Sequence, residues 1–406
     1  MNRKETIALP DGFTYRSELR RHVTPWFLKK RPVHRWFFFP HSFSPELVDE
    51  ILAAFPLPAG GRILDPFAGA GTTVLCAKER GYSAAGVDLS PLSVFVARAK
   101  TAGYDRTLLK EAFDHVRNYR PEPPPTDLPA RLRRAFSEKE LAHIHGLAGR
   151  IRELPAREGD FFRLALLRVQ REISRAQPDG GWFRWIERDD QSERIPELFE
   201  EKVREQFADL SDLPPVETQI FRDDARILES LEGRFDLIIT SPPYPNRHDY
   251  TRIFHIDLLA LGLSEQEILD IRRRSLRSHV EARAPGIRAD GYVAPESLER
   301  VLDRLPADTE RRVIRFLSGY FEDLYLVLKA LDRHLNANAT LAFVVGNVRH
   351  GGVMVPVDEI LVEIGQKAGY AFSGAWVARV RGNSAQQMGR FGREDARETI
   401  VFFRKN

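Results

Sequence analysis

Cysteine is almost absent from this 406-residue chain, and the single one, Cys76, excludes a disulfide framework and any cysteine-rich zinc site. No apolar run approaches the roughly 18 residues that a membrane helix needs. The N-terminal text MNRKETIALPDGF lacks the apolar core of a signal sequence, so a cytoplasmic protein in a reducing compartment is expected. An excess of one charge is missing too: 61 Lys and Arg face 58 Asp and Glu, a net charge of +3. Internal repeats and low-complexity tails are absent. At 43% hydrophobic and 29% charged, the composition is that of a globular protein with one large domain or two smaller ones.

The cations nevertheless cluster. Arg16 to Arg35, Arg163 to Arg175 and Arg272 to Arg277 form three locally basic stretches. Each is compatible with a nucleic-acid partner and equally with a solvated helix face.

Periodicity organises the rest. SPELVDEILAAF reads as a helix with Ser44 as its cap and Pro45 at its first position. RILDPF is a buried strand entering a glycine-rich turn, TTVLCAKERG the helix after it, SAAGVDLS a second strand and PLSVFVARAKTAG a second helix. Two such units begin a parallel sheet with right-handed crossovers. After the Pro-rich PEPPPTDLP, residues 130–210 read as Arg- and Glu-rich helices around the aromatic cluster GWFRW. Strands return at VETQIFRDD and RFDLIITSPPY, and a second helical stretch covers about 250–330. TLAFVVGNV, the helix VPVDEILVEIGQKAG, AFSGAWVARV and ETIVFFRK finish the chain. The expected architecture is one doubly wound α/β domain, residues 1–104 and 216–406, interrupted by a helical insertion at 105–215.

Two motifs carry chemistry. DPFAGAGTT, Asp65 to Thr73, joins a strand to a helix, and Gly69 and Gly71 allow a tight turn and close approach of a ligand. No Lys follows Gly71, which disfavours a nucleoside-triphosphate loop, and the third glycine of a dinucleotide fingerprint is missing. Asp88, ending the next strand, suits the two ribose hydroxyls of an adenosine; the competing role is a helix cap ahead of Pro91. TSPPY, Thr240 to Tyr244, follows the apolar strand FDLII, where the carboxyl ends of strands face the ligand crevice of an open sheet. Consecutive prolines stiffen that corner, although an ordinary turn would use the same residues.

Together DPFAGAGTT and TSPPY resemble the S-adenosylmethionine-dependent amino-methyltransferases of restriction–modification systems, with their DPFxGxGT and [DNS]PP[YFW] motifs. HRWFFFPHSFSPELV is similar to that family's N-terminal cofactor motif, and RGNSAQQMGRFGREDARETIVFFRK to the tails of site-specific DNA methylases. The resemblance covers about residues 31–100 and 216–406. It implies a mostly parallel, seven-stranded Rossmann-like methyltransferase sheet. By the same resemblance, S-adenosylmethionine lies against Asp65, Pro66, Phe67, Gly69, Gly71 and Thr72, with Asp88 on the ribose. Asp224, with Asp223 as the competing neighbour, takes the adenine amino group, and His41, Ser42 and Ser44 line the carboxylate end.

The chemistry so implied is methylation of an exocyclic amine on a flipped base of double-stranded DNA. Such an amine is a poor nucleophile because its lone pair is delocalised into the ring. Ser241 and the Pro242 carbonyl would accept its N–H bonds and free the lone pair, Pro243 would stiffen the corner, and Tyr244 would stack on the base. Ser at the first position favours N4 of cytosine over N6 of adenine. Carbon-5 methylation is excluded, because it needs a thiolate and Cys76 sits in the helix behind the turn. An RNA methyltransferase and a non-catalytic cofactor-binding recognition subunit are the rival classes. Target recognition is expected in 105–215, with 250–310 as the competing DNA-contacting insertion. A separately acting restriction endonuclease, a monomer or dimer, a nucleoid-associated location, no resident metal and no membrane complete the expectation.

Overall fold

The computed structural model describes residues 9–406 except 181, 212, 284, 285, 383 and 384, and leaves the side chains of 385–387 undescribed. The N-terminal eight residues and the Asn-Ser pair of the tail motif therefore lie outside the described residues.

In chain order the strands are β1 (Phe13–Tyr15), β2 (Arg62–Asp65), β3 (Ser83–Asp88), β4 (Ala176–Asp179), β5 (Trp182–Trp185), β6 (Thr218–Arg222), β7 (Phe235–Thr240), β8 (Leu335–Gly346), β9 (Val348–His350), β10 (Val353–Val355), β11 (Tyr370–Gly382) and β12 (Asp395–Lys405). Helices α1 (Pro45–Ala54), α2 (Thr72–Glu79) and α3 (Pro91–Thr101) belong to the first βαβ units. The insertion contributes α4 (Arg106–Arg117), α5 (Ala130–Ala135), α6 (Glu138–Arg152), α7 (Ala156–Ile173) and α8 (Ile195–Asp209). Beyond β7 follow α9 (Tyr250–Ile253), α10 (His255–Ala260), α11 (Glu265–Arg274), α12 (Glu296–Arg304), α13 (Arg311–Asp332), α14 (Val357–Lys367) and α15 (Ala385–Phe391). Among the described residues no helix is long and apolar enough to cross a membrane.

The sheet order is β1-β11-β12-β8-β7-β2-β3-β6, with β12 antiparallel to both neighbours and the other pairings parallel. This is the expected doubly wound, mostly parallel Rossmann-like sheet, with one difference. An eighth strand, β1, adds to the β11 edge, pairing Phe13 with Ala375 and Tyr15 with Val377. Its three residues are too short to give a strand periodicity, so only the long partner reveals it.

Both faces of the sheet are covered, which is why its strands read as continuous apolar runs. Leu64, Ile238, Leu341 and Phe343 pack beneath α13 and α14. Their alternates Ile63, Leu237, Ile239 and Val344 pack beneath α1 and α2. A third core, built on Phe161, Phe162 and Leu167 of α7, is continuous with Leu92 and Val96 of α3 and with Trp36 and Phe39 of the N-terminal segment.

From β2 the chain steps outward through β3 to β6; from β7 it steps the other way to β8. The adjacent pair β2 and β7 therefore marks the topological switch point, where open α/β sheets bind ligands at their carboxyl ends.

Two sequence expectations need correction. The WFRW part of GWFRW is not helical: Trp182–Trp185 pairs antiparallel with Ala176–Asp179 in a hairpin whose turn includes Gly180 at φ +57°. The Asp179-Gly180 dipeptide is a hairpin signal that the surrounding helical periodicity masked. The basic stretch on α7 is not a free surface either. Arg168 pairs with Glu205, Arg171 with Asp257 at 3.7 Å and Arg175 with Glu140 at 2.6 Å, while Arg163 donates to the Leu261 carbonyl at 2.9 Å.

Candidate active site

At the switch point lies a cleft with about 1160 Å³ of empty space, open solvent included. The glycine turn after β2 and the Ser-Pro-Pro-Tyr corner after β7 reach the same cavity: Gly69, Asp88, Ser241 and Pro243 all line it.

Gly69 sits at φ +51°, and a Cβ built there would meet only the Phe67 carbonyl, at 3.9 Å. The backbone is thus bare toward the cleft. Its N–H donates to Asp88 Oδ2 at 2.9 Å, while Asp88 Oδ1 accepts from the Ser90 N–H at 2.8 Å. Ser90, not Asp88, is the cap of α3, so the capping alternative fails. The Ser93 hydroxyl and the Leu89 N–H also bear on this carboxylate, which lines the cleft. Burial holds the Asp88 pKa above the usual carboxylate range, partly offset by the Ser90 and Gly69 N–H groups.

Asp65 is buried at the end of β2 and works across the switch point. Its Oδ1 accepts from the Thr240 hydroxyl at 2.6 Å and from the Phe67 N–H at 3.0 Å. Thr73 ties the same seam by donating to the Ile239 carbonyl at 3.1 Å. Burial raises the Asp65 pKa from 3.8 to about 6, against the lowering by Thr240 and Thr73. Pro66, Phe67 and Thr72 line the cleft beside it, and the Thr72 hydroxyl lies 3.3 Å from that of Ser42. His41 also lines the cleft, its ring edge-on to Tyr250 with centroids 5.4 Å apart.

Four predicted cofactor residues behave differently. Gly71, at φ +79°, faces α3, where an added Cβ would lie 2.9 Å from Ala97 Cβ; its smallness serves helix packing rather than a ligand. Ser44 is buried and does not line the cleft: it donates to the Thr24 carbonyl at 2.5 Å, accepts the Phe27 N–H at 3.3 Å and makes no side-chain cap bond to α1. Asp223 and Asp224 line the cleft, yet both carboxylates are engaged. Asp223 accepts from the N–H groups of Asp224 and Ser230. Asp224 forks onto Arg226 at 2.9 and 2.7 Å and accepts its N–H at 3.0 Å, leaving one acceptor position on Oδ2. Arg226 in turn meets Asp323, which also receives Arg277 Nη2 at 2.6 Å, so a buried ionic network underpins residues 274–277 at the cleft wall.

At the Ser-Pro-Pro-Tyr corner the Ser241 hydroxyl has no hydrogen-bond partner among the described residues, and the Pro242 carbonyl accepts none. Pro242 is buried and does not itself line the cleft. Tyr244 turns away from the cavity: its hydroxyl donates to Glu398 Oε1 at 3.1 Å, and its ring packs so closely on Gly346 that a Cβ there would lie 2.8 Å from Cε2. His350 braces the next residue, pairing Nε2 with the Pro245 carbonyl at 2.8 Å; burial depresses its pKa to about 4, so it is neutral and donates.

Sequence reasoning missed the opposite wall, made by Phe39, Tyr250, Phe254, Leu258 and Leu276. Phe39 and Phe254 pack with centroids 4.6 Å apart. Tyr250 faces Asp88, and burial and that carboxylate raise its pKa. The only signal was the density of aromatics before Ser44 and after Tyr244, which a buried core explains as well.

Cys76 is fully buried and its thiol is pushed up by burial, so it supplies no ready thiolate. Together with His34 and Glu79 it forms one group of ligand-type atoms within 4.8 Å of one another, outside the cleft.

No family model matches the chain. It is similar to the Type II methyltransferase M.BsoBI of Geobacillus stearothermophilus, with 26% identity across 93% of this chain and 86% of the relative. Similarity to the Type II methyltransferase M.AvaI of a Nostoc strain is 29%, across 93% of this chain and 87% of that one. A shorter match, 35% identical over 20% of this chain and 16% of the relative, is to the Type II methyltransferase M.MjaII of Methanocaldococcus jannaschii.

Proposed function

From the premise that this chain belongs with the restriction–modification DNA methyltransferases, we propose that it methylates the exocyclic amine of a flipped base, N4 of cytosine. S-adenosylmethionine is the cofactor, and the cleft residues fit it. Asp88 presents a carboxylate on the cleft wall for a ribose, Gly69 leaves the backbone bare, and Phe39 and Phe254 supply an apolar wall. Asp224 Oδ2 would take the adenine amino group, and Ser42, Thr72 and His41, which line the cleft, would hold the amino-acid end. When bound, the cofactor supplies an electrophilic methyl group on a sulfonium.

The observation that carries the reading is the unpartnered pair of acceptors at the corner. Ser241 Oγ and the Pro242 carbonyl are held by a rigid Pro-Pro unit next to the turn that cradles the cofactor. Accepting the two N–H bonds of a base amine pulls its nitrogen toward tetrahedral geometry and concentrates the lone pair. Positioning and electrostatic stabilisation then supply most of the rate, without a covalent intermediate. Tyr244, anchored through Glu398 and packed on Gly346, would hold the corner in place from behind rather than stack on the base. A cognate endonuclease acting separately on the same sequence is the partner this role calls for.

Expression in a methylation-free host, followed by sequencing of its DNA for modified bases, tests the reading. N4-methylcytosine within a fixed consensus is the expected result. N6-methyladenine overturns the choice of base, and unmodified DNA overturns the function.

A further inference from the structure

The elements that wall the cleft on the inside carry a cationic track on their outside. Ile271, Arg274 and Leu276 line the cleft; the adjoining residues of α11, the turn after it and the start of α13 line a neighbouring groove of about 630 Å³. Arg273, Arg283, Arg312 and Arg315 converge there. Arg312 and Arg315 are exposed on one face of α13, and the Arg283 N–H donates to the Arg273 carbonyl at 2.9 Å, drawing those two residues together. Arg283, Arg312 and Arg315 have no ion-pair partner among the described residues, and Arg273 has only Asp270 at 4.0 Å. Unpaired like charges brought together in a groove repel one another, unless an anion is the intended occupant.

The track does not end there. Leu269 and Arg272 are shared with a second groove lined by Trp182, Arg131 and Arg252, whose arginines are ion-paired: Arg131 with Glu265 at 2.7 Å, Arg272 with Asp249 at 2.7 Å and Arg252 with Asp249 at 3.2 Å. That groove shares Trp182, Arg131 and Glu265 with a third, under Arg134 and Trp185. At the tip of the hairpin Trp182 is 36% exposed, stacked on Phe183 with centroids 4.8 Å apart and capped by Arg252 at 5.2 Å. Unpaired arginines converging in one groove, continuous with further arginines around a partly exposed Trp182, make the surface a polyanion needs.

We propose that this track seats the DNA duplex, with Arg273, Arg283, Arg312 and Arg315 on the phosphate backbone and Trp182 at the far end of the footprint. The inference rests on the DNA reading above. It makes the β4–β5 hairpin of the insertion and the α11–α13 region two ends of one DNA-binding surface rather than rival locations for it.

The test uses the full-length enzyme and an unmodified duplex that the wild type methylates, with binding read by fluorescence anisotropy between 50 and 200 mM salt. Arg273→Ala, Arg312→Ala and Arg315→Ala combined should weaken binding at least about tenfold and flatten the log–log salt slope by roughly 3, one per lost phosphate contact. Lysines at the same three positions should restore most of the slope, and cofactor affinity by calorimetry should not change. Arg204→Ala, on α8 and away from the track, should bind like wild type. A wild type that methylates DNA while the triple variant keeps its affinity and slope overturns the track alone. A wild type that methylates no DNA overturns the reading beneath it, and binding of an RNA duplex instead, lost in the triple variant, replaces the partner named here.

Discussion

Asp65 Oδ1 accepts the hydroxyl of Thr240 at 2.6 Å, so the last residue of β2 is bonded to the last residue of β7. One of these residues starts the cofactor turn and the other immediately precedes Ser241. On the proposed roles, this buried bond adds to the β2–β7 backbone ladder in fixing the spacing between the methyl donor and the acceptors of the base amine.

That bond has a pH signature. Burial lifts the Asp65 pKa from 3.8 to about 6, so between those values the folded state holds a proton that the unfolded chain releases. Stability should consequently fall as the pH rises from about 4 to about 6 and level off above. The full span corresponds to on the order of 3 kcal/mol in the ligand-free protein. The difference in melting temperature between wild type and Asp65→Asn, followed from pH 4 to 8, isolates the effect; a constant difference across that range would refute it.

Ser241→Ala should lower kcat by about 10²- to 10³-fold, the usual cost of removing one preorganised polar partner of a transition state. The affinity for S-adenosylmethionine, measured by calorimetry, should stay within twofold, because Ser241 bonds to none of the cofactor turn. Loss of both together would mean that the corner and the cofactor site are one structural unit.

Asp88→Ala should act in the opposite order. The proposed ribose acceptor and the Gly69 and Ser90 tethers vanish together. Cofactor Kd should rise by roughly 10- to 100-fold, as expected for charge-assisted hydrogen bonds of about 1.5–3 kcal/mol. Turnover at saturating cofactor should recover much of its wild-type value.

Asp323→Ala leaves Arg226 and Arg277 facing each other in the interior without their shared carboxylate. Breaking a buried pair on one side costs about 3–5 kcal/mol, and denaturant unfolding should show it. Because the same network supports residues 274–277, turnover should suffer even at temperatures where the variant remains folded.

The sheet and its motifs were legible because strong local patterns and global position agree in them. RILD and FDLIIT are apolar on both faces because helices cover both, and the glycine turn and the Pro-Pro corner each follow such a strand. What escaped was set by partners distant in sequence. Phe39, Tyr250 and Phe254 meet only when the N-terminal segment and the post-β7 helices converge over the sheet. Gly71 and Ser44 carry the right residue types for a binding motif but are used for packing against Ala97 and for fastening residues 24–27. Tyr244 was read from its motif as a platform, and Glu398, more than a hundred residues downstream in the chain, holds its hydroxyl.

Asp209, at the end of α8, is almost fully buried and receives Arg35 Nη2 at 2.5 Å, the Trp36 indole N–H at 3.0 Å and the Val33 N–H at 3.2 Å. The inserted helices thereby grip the very stretch of chain that goes on to supply Phe39, His41 and Ser42 to the cleft. An enzyme trimmed of residues 105–215 would not be a smaller catalyst with its reading head removed. It would lose the clamp on one wall of the cleft, so on the proposed roles the insertion and methyl-donor binding are expected not to separate as modules.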